Sequence, residues 1–181
     1  PIPTPLAIGK PAHGYPWLWP LNRWIDGENA AIERIDDLRL FARDLAKFLK
    51  DAEYRHDRCA DAGHDNFYLG GDLAGYGVET RECIDELKNV VDVNAVIAVW
   101  ESALNATWSG PAVWLHGDVA AENLLMKGGR LSALIDFGQL AAGDPTCDLT
   151  IAWTFLSGAS REEFRTCLSV VDAATWSRGR G

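Results

Sequence analysis

His116-Gly117-Asp118-Val119-Ala120-Ala121-Glu122-Asn123, followed shortly by Ile135-Asp136-Phe137-Gly138, is the stretch that decides how this chain folds. Just ahead of it, Ala112-Val113-Trp114-Leu115 is an apolar run after Gly110-Pro111, which reads as a buried strand leading into His116. Between the two pieces, Leu124-Leu125-Met126 and Leu131-Ser132-Ala133-Leu134-Ile135 flank Lys127-Gly128-Gly129-Arg130. Gly-Gly between two apolar runs signals a hairpin. The order is therefore strand, loop, hairpin, second loop. Loops leaving neighbouring strand ends would gather Asp118, Asn123 and Asp136 at one point. Gly117 and Gly138 permit the unusual backbone that such loops need.

Outward from this centre, the pattern is mostly helical. Downstream, the loop 136–147 leads into a helix expected over 148–156. Ser160-x-x-Glu163 has the form of a capping box, which predicts a further helix from there to about Val170. Upstream, Asn29 is a plausible N-cap for a long helix running to about Asp51. Ile32, Ile35, Leu38, Phe41, Leu45, Phe48 and Leu49 recur at three- and four-residue spacing and form one apolar stripe. Helices are also expected from about Thr80 to Asn89 and from Asp92, where Val93, Val96, Val99, Trp100, Ala103, Leu104 and Trp108 trace an apolar face. The interval 52–77 is polar and Gly-rich and reads as a long surface excursion, a length of loop that is often functional. Residues 1–20 are rich in Pro and Gly, with strand candidates at Leu6-Ala7-Ile8 and over 18–25, ended by Asp26-Gly27-Glu28. The eight tryptophans are expected to be mostly core.

A chain of 181 residues can build one sizeable core or one lobe of a larger enzyme. Its net charge of −9 argues against nucleic acid or an anionic membrane as partner, because phosphate surfaces select clustered Lys and Arg. The same acidity is compatible with a cationic small substrate. No apolar run reaches the length that spans a bilayer. Cys59, Cys83, Cys147 and Cys167 show no metal or disulfide spacing, which points to reduced thiols and the cytoplasm.

The residue types at the centre suit phosphoryl transfer. That reaction asks little covalent chemistry of the protein; it needs a hydroxyl held in line with a phosphate and cations that neutralise the phosphate charge. Asp118 is the candidate for orienting or accepting the hydroxyl proton, while Asn123 and Asp136 offer the hard oxygen ligands that Mg²⁺ prefers. His116 reads as a structural hydrogen-bonding group.

Leu115 to Asp118, Asn123-Leu124-Leu125, Leu134 to Gly138 and Gly143-Asp144-Pro145-x-x-Asp148-Leu149 together resemble the aminoglycoside phosphotransferase family, small-molecule kinases related in fold to protein kinases. Gly14-Tyr15-Pro16-Trp17 and Arg23-Trp24-Ile25-Asp26-Gly27 resemble the strand and hinge ahead of that family's C-terminal lobe. The resemblance implies an α+β, protein-kinase-like C-terminal lobe, mostly helical, with a β-hairpin carrying the catalytic and metal loops. It implies residues 1–28 as a remnant of N-lobe strands and hinge, and 29–181 as the lobe itself, cut short at its end. Asp118 becomes the catalytic aspartate, Asn123 and Asp136 the Mg²⁺ ligands, and Trp24, Ile25 and Asp26 the hinge whose backbone meets the purine of ATP or GTP. Asp144 and Asp148 become structural, capping a helix and bracing the loop. The acceptor would be a hydroxyl of an aminoglycoside or similar molecule, and antibiotic resistance the context; macrolides, choline-like alcohols and other metabolites stay open. Asp57, Asp61, Asp65 and Asp72 are acids that could receive an amino sugar.

The family's phosphate-covering loop, strand lysine and helix glutamate do not lie ahead of Gly14, where Lys10-Pro11 holds the nearby lysine. A full-length protein with an N-terminal lobe is therefore expected. Two other classes compete: a non-catalytic kinase-like binding module, and a metal-dependent hydrolase built on the same three residues. Retention of all three weighs against the first. The lack of a nearby His or extra carboxylate for a two-metal site weighs against the second.

Overall fold

The computed structural model describes residues 1–53, 63–168 and 171–181. Two strands, β1 (Pro5–Gly9) and β2 (Trp19–Asn22), form an antiparallel hairpin in which Gly9 faces Trp19. The indole of Trp19 lies over Gly9 so closely that any side chain there would collide with it. Trp17, Trp19 and Trp24 are exposed, so three of the eight tryptophans are not core. β2 stops at Asn22, short of the expected strand through Ile25.

The helix expected from Asn29 starts later. Asn29 instead belongs to β3 (Glu28–Asn29), which pairs with β5 (Leu124–Lys127). Ala30 continues the tie, its N–H donating to the Ala121 and Leu124 carbonyls. With its backbone committed to a sheet, Asn29 cannot cap a helix. That role falls to Asp37, whose Oδ1 accepts from Arg39 N at 2.9 Å and Leu40 N at 3.0 Å, and α1 runs Leu38–Glu53. The stripe survives in its second half: Phe41, Ala42, Leu45, Ala46 and Leu49 are buried, while Ile32 is exposed.

After the undescribed interval the chain makes two 3-10 turns, His64–Asn66 and Leu73–Tyr76. The expected excursion is thus partly built into the fold, since Asn66 is buried and Gly70 O accepts from Asp144 N at 2.9 Å. Then come α2 (Gly77–Glu86), three residues earlier than expected, and α3 (Val93–Leu104), capped by Asp92 through Ala95 N. β4 (Val113–Leu115) leads into His116. β5 and β6 (Arg130–Leu134) form the expected hairpin, and β3, β5 and β6 make one antiparallel sheet. β4 pairs instead with β7 (Ala141–Gly143). The first loop leaves β4 and enters β5, and the second leaves β6, whose end lies opposite the start of β5 with Leu124 paired to Leu134.

The predicted helix over 148–156 divides into a 3-10 turn, Pro145–Leu149, and a short α4 (Ile151–Thr154). α5 (Gly158–Cys167) begins before Ser160, whose Oγ accepts from Ser157 N at 3.2 Å. Glu163, the expected end of a capping box, reaches α1 instead and receives Arg39 and Arg43, each at 2.8 Å. The box is instead closed by Ser157 and Ser160, Glu163 falls in the second turn, and Val170 lies outside the described residues. α6 (Ala173–Arg178) follows, with Asp172 capping Thr175 N. One core joins α1, the β5–β6 hairpin, α4, α5 and α6 around Phe41, Leu45, Leu124, Leu134, Ile151, Phe164 and Trp176. The fold is mixed α+β, and no helix among the described residues is long and apolar enough to cross a membrane. Cys83, Cys147 and Cys167 are free thiols; Cys59 lies outside the described residues.

Candidate active site

The β5–β6 hairpin seats the start of the second loop beside the end of the first: Leu124 pairs with Leu134, and the next rung joins Ile135 to Asn123. Asn123 accepts from Ile135 N through its carbonyl at 2.9 Å, so the residue before Asp136 is fixed to the end of the first loop. Asp118 N donates to Nδ1 of His116 at 3.2 Å. That leaves the proton on Nε2, which donates to the Ile135 carbonyl at 3.0 Å. His116 is therefore a buried, neutral bridge between the loops. Burial lowers its pKa, and the Ile135 carbonyl and the Asp118 and Asp136 carboxylates oppose that shift. The ring of Phe137 meets the imidazole edge-on with centroids 4.6 Å apart. His116 thus has the structural role expected for it.

Asp118 and Asn123 are in direct contact. The Asn123 amide donates to Asp118 Oδ2 at 2.8 Å and to the Asp118 carbonyl at 2.9 Å. These two bonds use the N–H face of the amide and leave its oxygen as the acceptor. Asp136 has a left-handed backbone, φ 62°, unusual for a residue other than glycine, and its Oδ1 accepts from Gly138 N at 3.3 Å. Its carboxylate is exposed. Gly117 is required where it stands. With φ 86°, a Cβ would lie 2.6 Å from the Gln139 carbonyl oxygen and 2.9 Å from Leu69 Cδ1.

Two buried aspartates hold this assembly from behind. Asp148 accepts from the backbone N–H groups of His116 at 2.7 Å and Gly117 at 2.8 Å, so one carboxylate clamps the start of the loop. Asp144 caps the following turn through Thr146 N and pairs with Arg178, Nε to Oδ2 at 2.5 Å. Both aspartates were expected to brace and cap. Arg178 was not singled out in the sequence, where Ser177-Arg178-Gly179-Arg180 carries no apolar pattern that would signal burial. It is buried, stacks toward Trp108 at 5.7 Å, and keeps one N–H (Nη1) without a partner. Also unforeseen were Leu69 and Gly70, which pack on Gly117 and Leu115. The Gly70-Gly71 pair is the signal that could have pointed to such a close approach.

Trp24, Ile25 and Asp26 lie in extended chain between β2 and β3, with Trp24 86% exposed. They are not in contact with Asp118 through any hydrogen bond. Asp72 caps Ala74 N, while Asp57, Asp61 and the Asp65 side chain lie outside the described residues. Among the described residues, no group of three or more His, Cys, Asp or Glu side chains is arranged to hold a metal by itself. Two carboxylates and an amide oxygen are a sparse, all-oxygen set, which fits a cation that keeps several waters and shares its shell with phosphates.

A family model described as a phosphotransferase enzyme family matches residues 1–181. No curated protein is similar enough in sequence to register as a match. Among solved structures, the chain resembles a complex of APH(2")-IIia with GDP and kanamycin, at 18% identity and TM-score 0.69, covering 99% of this chain and 64% of that one. It also resembles a streptomycin–ATP–APH(2")-IIa ternary complex, at 17% identity and TM-score 0.58, covering 99% and 63%. A third is the macrolide 2'-phosphotransferase MphH from Brachybacterium faecium, at 18% identity and TM-score 0.54, covering 100% and 59%. At these identities the likeness establishes the fold. The chain spans about three fifths of the length of these proteins.

Proposed function

The chain belongs to the phosphotransferase enzyme family, and from that premise we propose that it carries the catalytic lobe of a kinase that moves the γ-phosphate of ATP or GTP to a hydroxyl of a small molecule. The observation that carries this reading is the Asn123–Asp118 contact at 2.8 Å together with the Ile135–Asn123 bond, which ties the residue before Asp136 to the same loop. Asp118 orients the acceptor hydroxyl and takes its proton as the oxygen attacks phosphorus. The Asn123 amide holds that carboxylate in one rotamer. Asn123 and Asp136 offer oxygens to Mg²⁺, which when bound neutralises charge on the phosphates. His116 and Asp148 take no part in bond-making; they fix the loop on which Asp118 stands.

Residues 1–28 serve as the end of a first lobe and its hinge, with the backbone of Trp24, Ile25 and Asp26 facing the purine, and 29–181 form the second lobe. The nucleotides named with two of the similar structures, ATP and GDP, support a purine nucleotide in this role. Streptomycin, kanamycin and the macrolide named with them support a small hydroxylated acceptor.

Calorimetry of the chain with ATP and with GTP, each with and without Mg²⁺, tests the reading. Binding that requires Mg²⁺ and disappears in Asp136→Ala is expected. Equal binding without Mg²⁺ would remove the metal role of Asn123 and Asp136, and hydrolysis in the absence of any acceptor would favour a hydrolase.

A further inference from the structure

An open cavity of about 400 Å³ lies between α3, α5 and α6, and none of Asp118, Asn123 and Asp136 lines it. Its deep part is aromatic. Trp176 is buried and Trp153 half-buried, with ring centroids 5.7 Å apart. Its rim is cationic, since Arg165 of α5 and Arg180, just past α6, also line it and are both exposed. The Arg165 guanidinium lies over the Trp176 ring, 5.0 Å from its centroid, so a cation–π contact holds it at the cavity. Ser102 and Ser177 complete the wall, their hydroxyl oxygens 2.9 Å apart. One of those two hydroxyl protons serves that bond, and the other is left to donate.

Charge makes this cavity unlike the rest of the chain. Asp and Glu number 26 against 17 Lys and Arg, so an arginine in this chain finds a carboxylate easily. Arg39 and Arg43 share Glu163, and Arg130 meets Asp44. Yet among the described residues no carboxylate lines the cavity or pairs with Arg165 or Arg180. Two guanidinium groups and a spare hydroxyl are donors without an acceptor, and guanidinium forks select planar anions. We propose that this cavity binds a small anion carried on a flat apolar ring, an aromatic carboxylate in its simplest form. The ring lies against the indoles, and the carboxylate accepts from Arg165 and Arg180. The acidity of the rest of the chain does not forbid this, because exposed charges are screened beyond about 8 Å at physiological salt. The site stands apart from phosphate transfer and does not depend on the kinase reading.

Naphthoate, neutral naphthamide and cationic naphthylmethylammonium share one ring system and differ in charge. Each is titrated by calorimetry into the chain and into Arg165→Gln, Arg180→Gln and Ala98→Glu, with melting temperatures taken alongside. Ala98 is an exposed residue of α3 at the cavity, so Glu there adds a competing carboxylate and keeps a good helix former. Naphthoate is expected to bind at one site, more weakly as salt rises, with naphthamide about tenfold weaker and the cation not bound. Each Gln variant should weaken naphthoate by about tenfold, the loss of one charge-assisted fork. Ala98→Glu should abolish its binding, and none of the three should lower the melting temperature. Equal binding of naphthamide would overturn the inference, because the ring alone would then be recognised. So would naphthoate binding that is absent, or that ignores all three substitutions. Arg23→Gln probes the exposed Trp17, Trp19 and Trp24; if it weakens naphthoate while Arg165→Gln does not, the anion sits there and the inference fails. It also fails if the Gln variants melt several degrees lower while Ala98→Glu still binds naphthoate normally, which would mark the arginines as packing groups.

Discussion

Replacing Asp148 by Asn should loosen the loop that carries Asp118 and destabilise the fold. One buried carboxylate, 6% exposed, accepts two backbone N–H groups, from His116 and Gly117. Hydrogen bonds to a charged acceptor contribute about 1.5–3 kcal/mol each. Asn keeps one acceptor oxygen but turns an NH₂ toward the second N–H, so one bond is lost and a buried donor faces a donor. The expected loss is about 2–3 kcal/mol. Asp148→Ala removes both partners and should cost about 3–5 kcal/mol. Set against a total of about 5–15 kcal/mol for an ordinary domain, either change is large. The measurement is urea unfolding of the chain and both variants, followed by tryptophan fluorescence. With a slope of about 2 kcal/mol per molar urea, Asn should lower the midpoint by about 1–1.5 M. A shift below about 0.3 M for both variants would mean that the two bonds are replaceable by water, and the clamp argument would be wrong.

Four other outcomes follow from the same geometry. Gly117→Ala combines a disfavoured left-handed backbone, about 1–2 kcal/mol, with a Cβ 2.6 Å from a carbonyl oxygen, so its melting temperature should fall by several degrees; an unchanged melting point would show that the loop relaxes freely. Asp144→Ala leaves Arg178 as an uncompensated buried charge and should cost about 3–5 kcal/mol in denaturant unfolding, whereas a loss under 1 kcal/mol would mean water reaches the guanidinium. Asp118→Asn should abolish phosphate transfer in the full-length protein while Mg²⁺–nucleotide binding by calorimetry persists, and Asp136→Ala should lose that binding; the reverse pattern would exchange their roles. His116 has a lowered pKa because it is buried, so the unfolded chain takes up the proton first as pH falls. Its contribution to stability is therefore full above the ordinary His value near 6.5 and declines as pH drops from there toward the folded pKa; unfolding midpoints at pH 5 and 7.5, compared with those of His116→Gln, should show a steeper acid loss in the unaltered chain.

How much of this was legible in the sequence depended on whether the signal was local. The hairpin was plain because Gly128-Gly129 sits between two apolar runs, and both glycines have positive φ. The helix after Asp92 was legible because an apolar stripe at helical spacing begins right there. Asn29 misled because residue type makes a cap only if its backbone is uncommitted, and pairing with Leu125, distant in sequence, committed it. Ser160-x-x-Glu163 misled in the same way, since the acid's carboxylate is satisfied by Arg39 and Arg43 from another helix. Asp118, Asn123 and Asp136 could be named from spacing, and Asn123 does hold Asp118. The rung from Ile135 to Asn123 follows from the hairpin, whereas the second tie, from His116 to the Ile135 carbonyl, could not be read, because it ends on a backbone group that every residue carries. Arg178 was invisible for a related reason: its burial is decided by Asp144 and Trp108, and nothing in its own neighbourhood announces them.

The aspartates of the region 118–148 show how one residue type is divided between two tasks. Asp144 and Asp148 are buried, and each oxygen atom of theirs has a donor: Thr146 and Arg178 for one residue, His116 and Gly117 for the other. A buried carboxylate committed in this way is out of a ligand's reach, and removing it leaves its donors unpaired rather than removing any chemistry. Asp118 and Asp136 stand the other way. Asp118 is half-buried with one oxygen on the Asn123 amide, and Asp136 is exposed with one weak backbone bond. Their unspent oxygens are what a cation or an acceptor hydroxyl would use. The substitutions above should sort accordingly: changes at 144 and 148 move the unfolding midpoint first, and binding only through it. Changes at 118 and 136 move binding or transfer with the midpoint nearly still. A variant at 118 that unfolded the chain as severely as one at 148 would erase that division, and with it the argument that Asp118 and Asp136 serve chemistry rather than the fold.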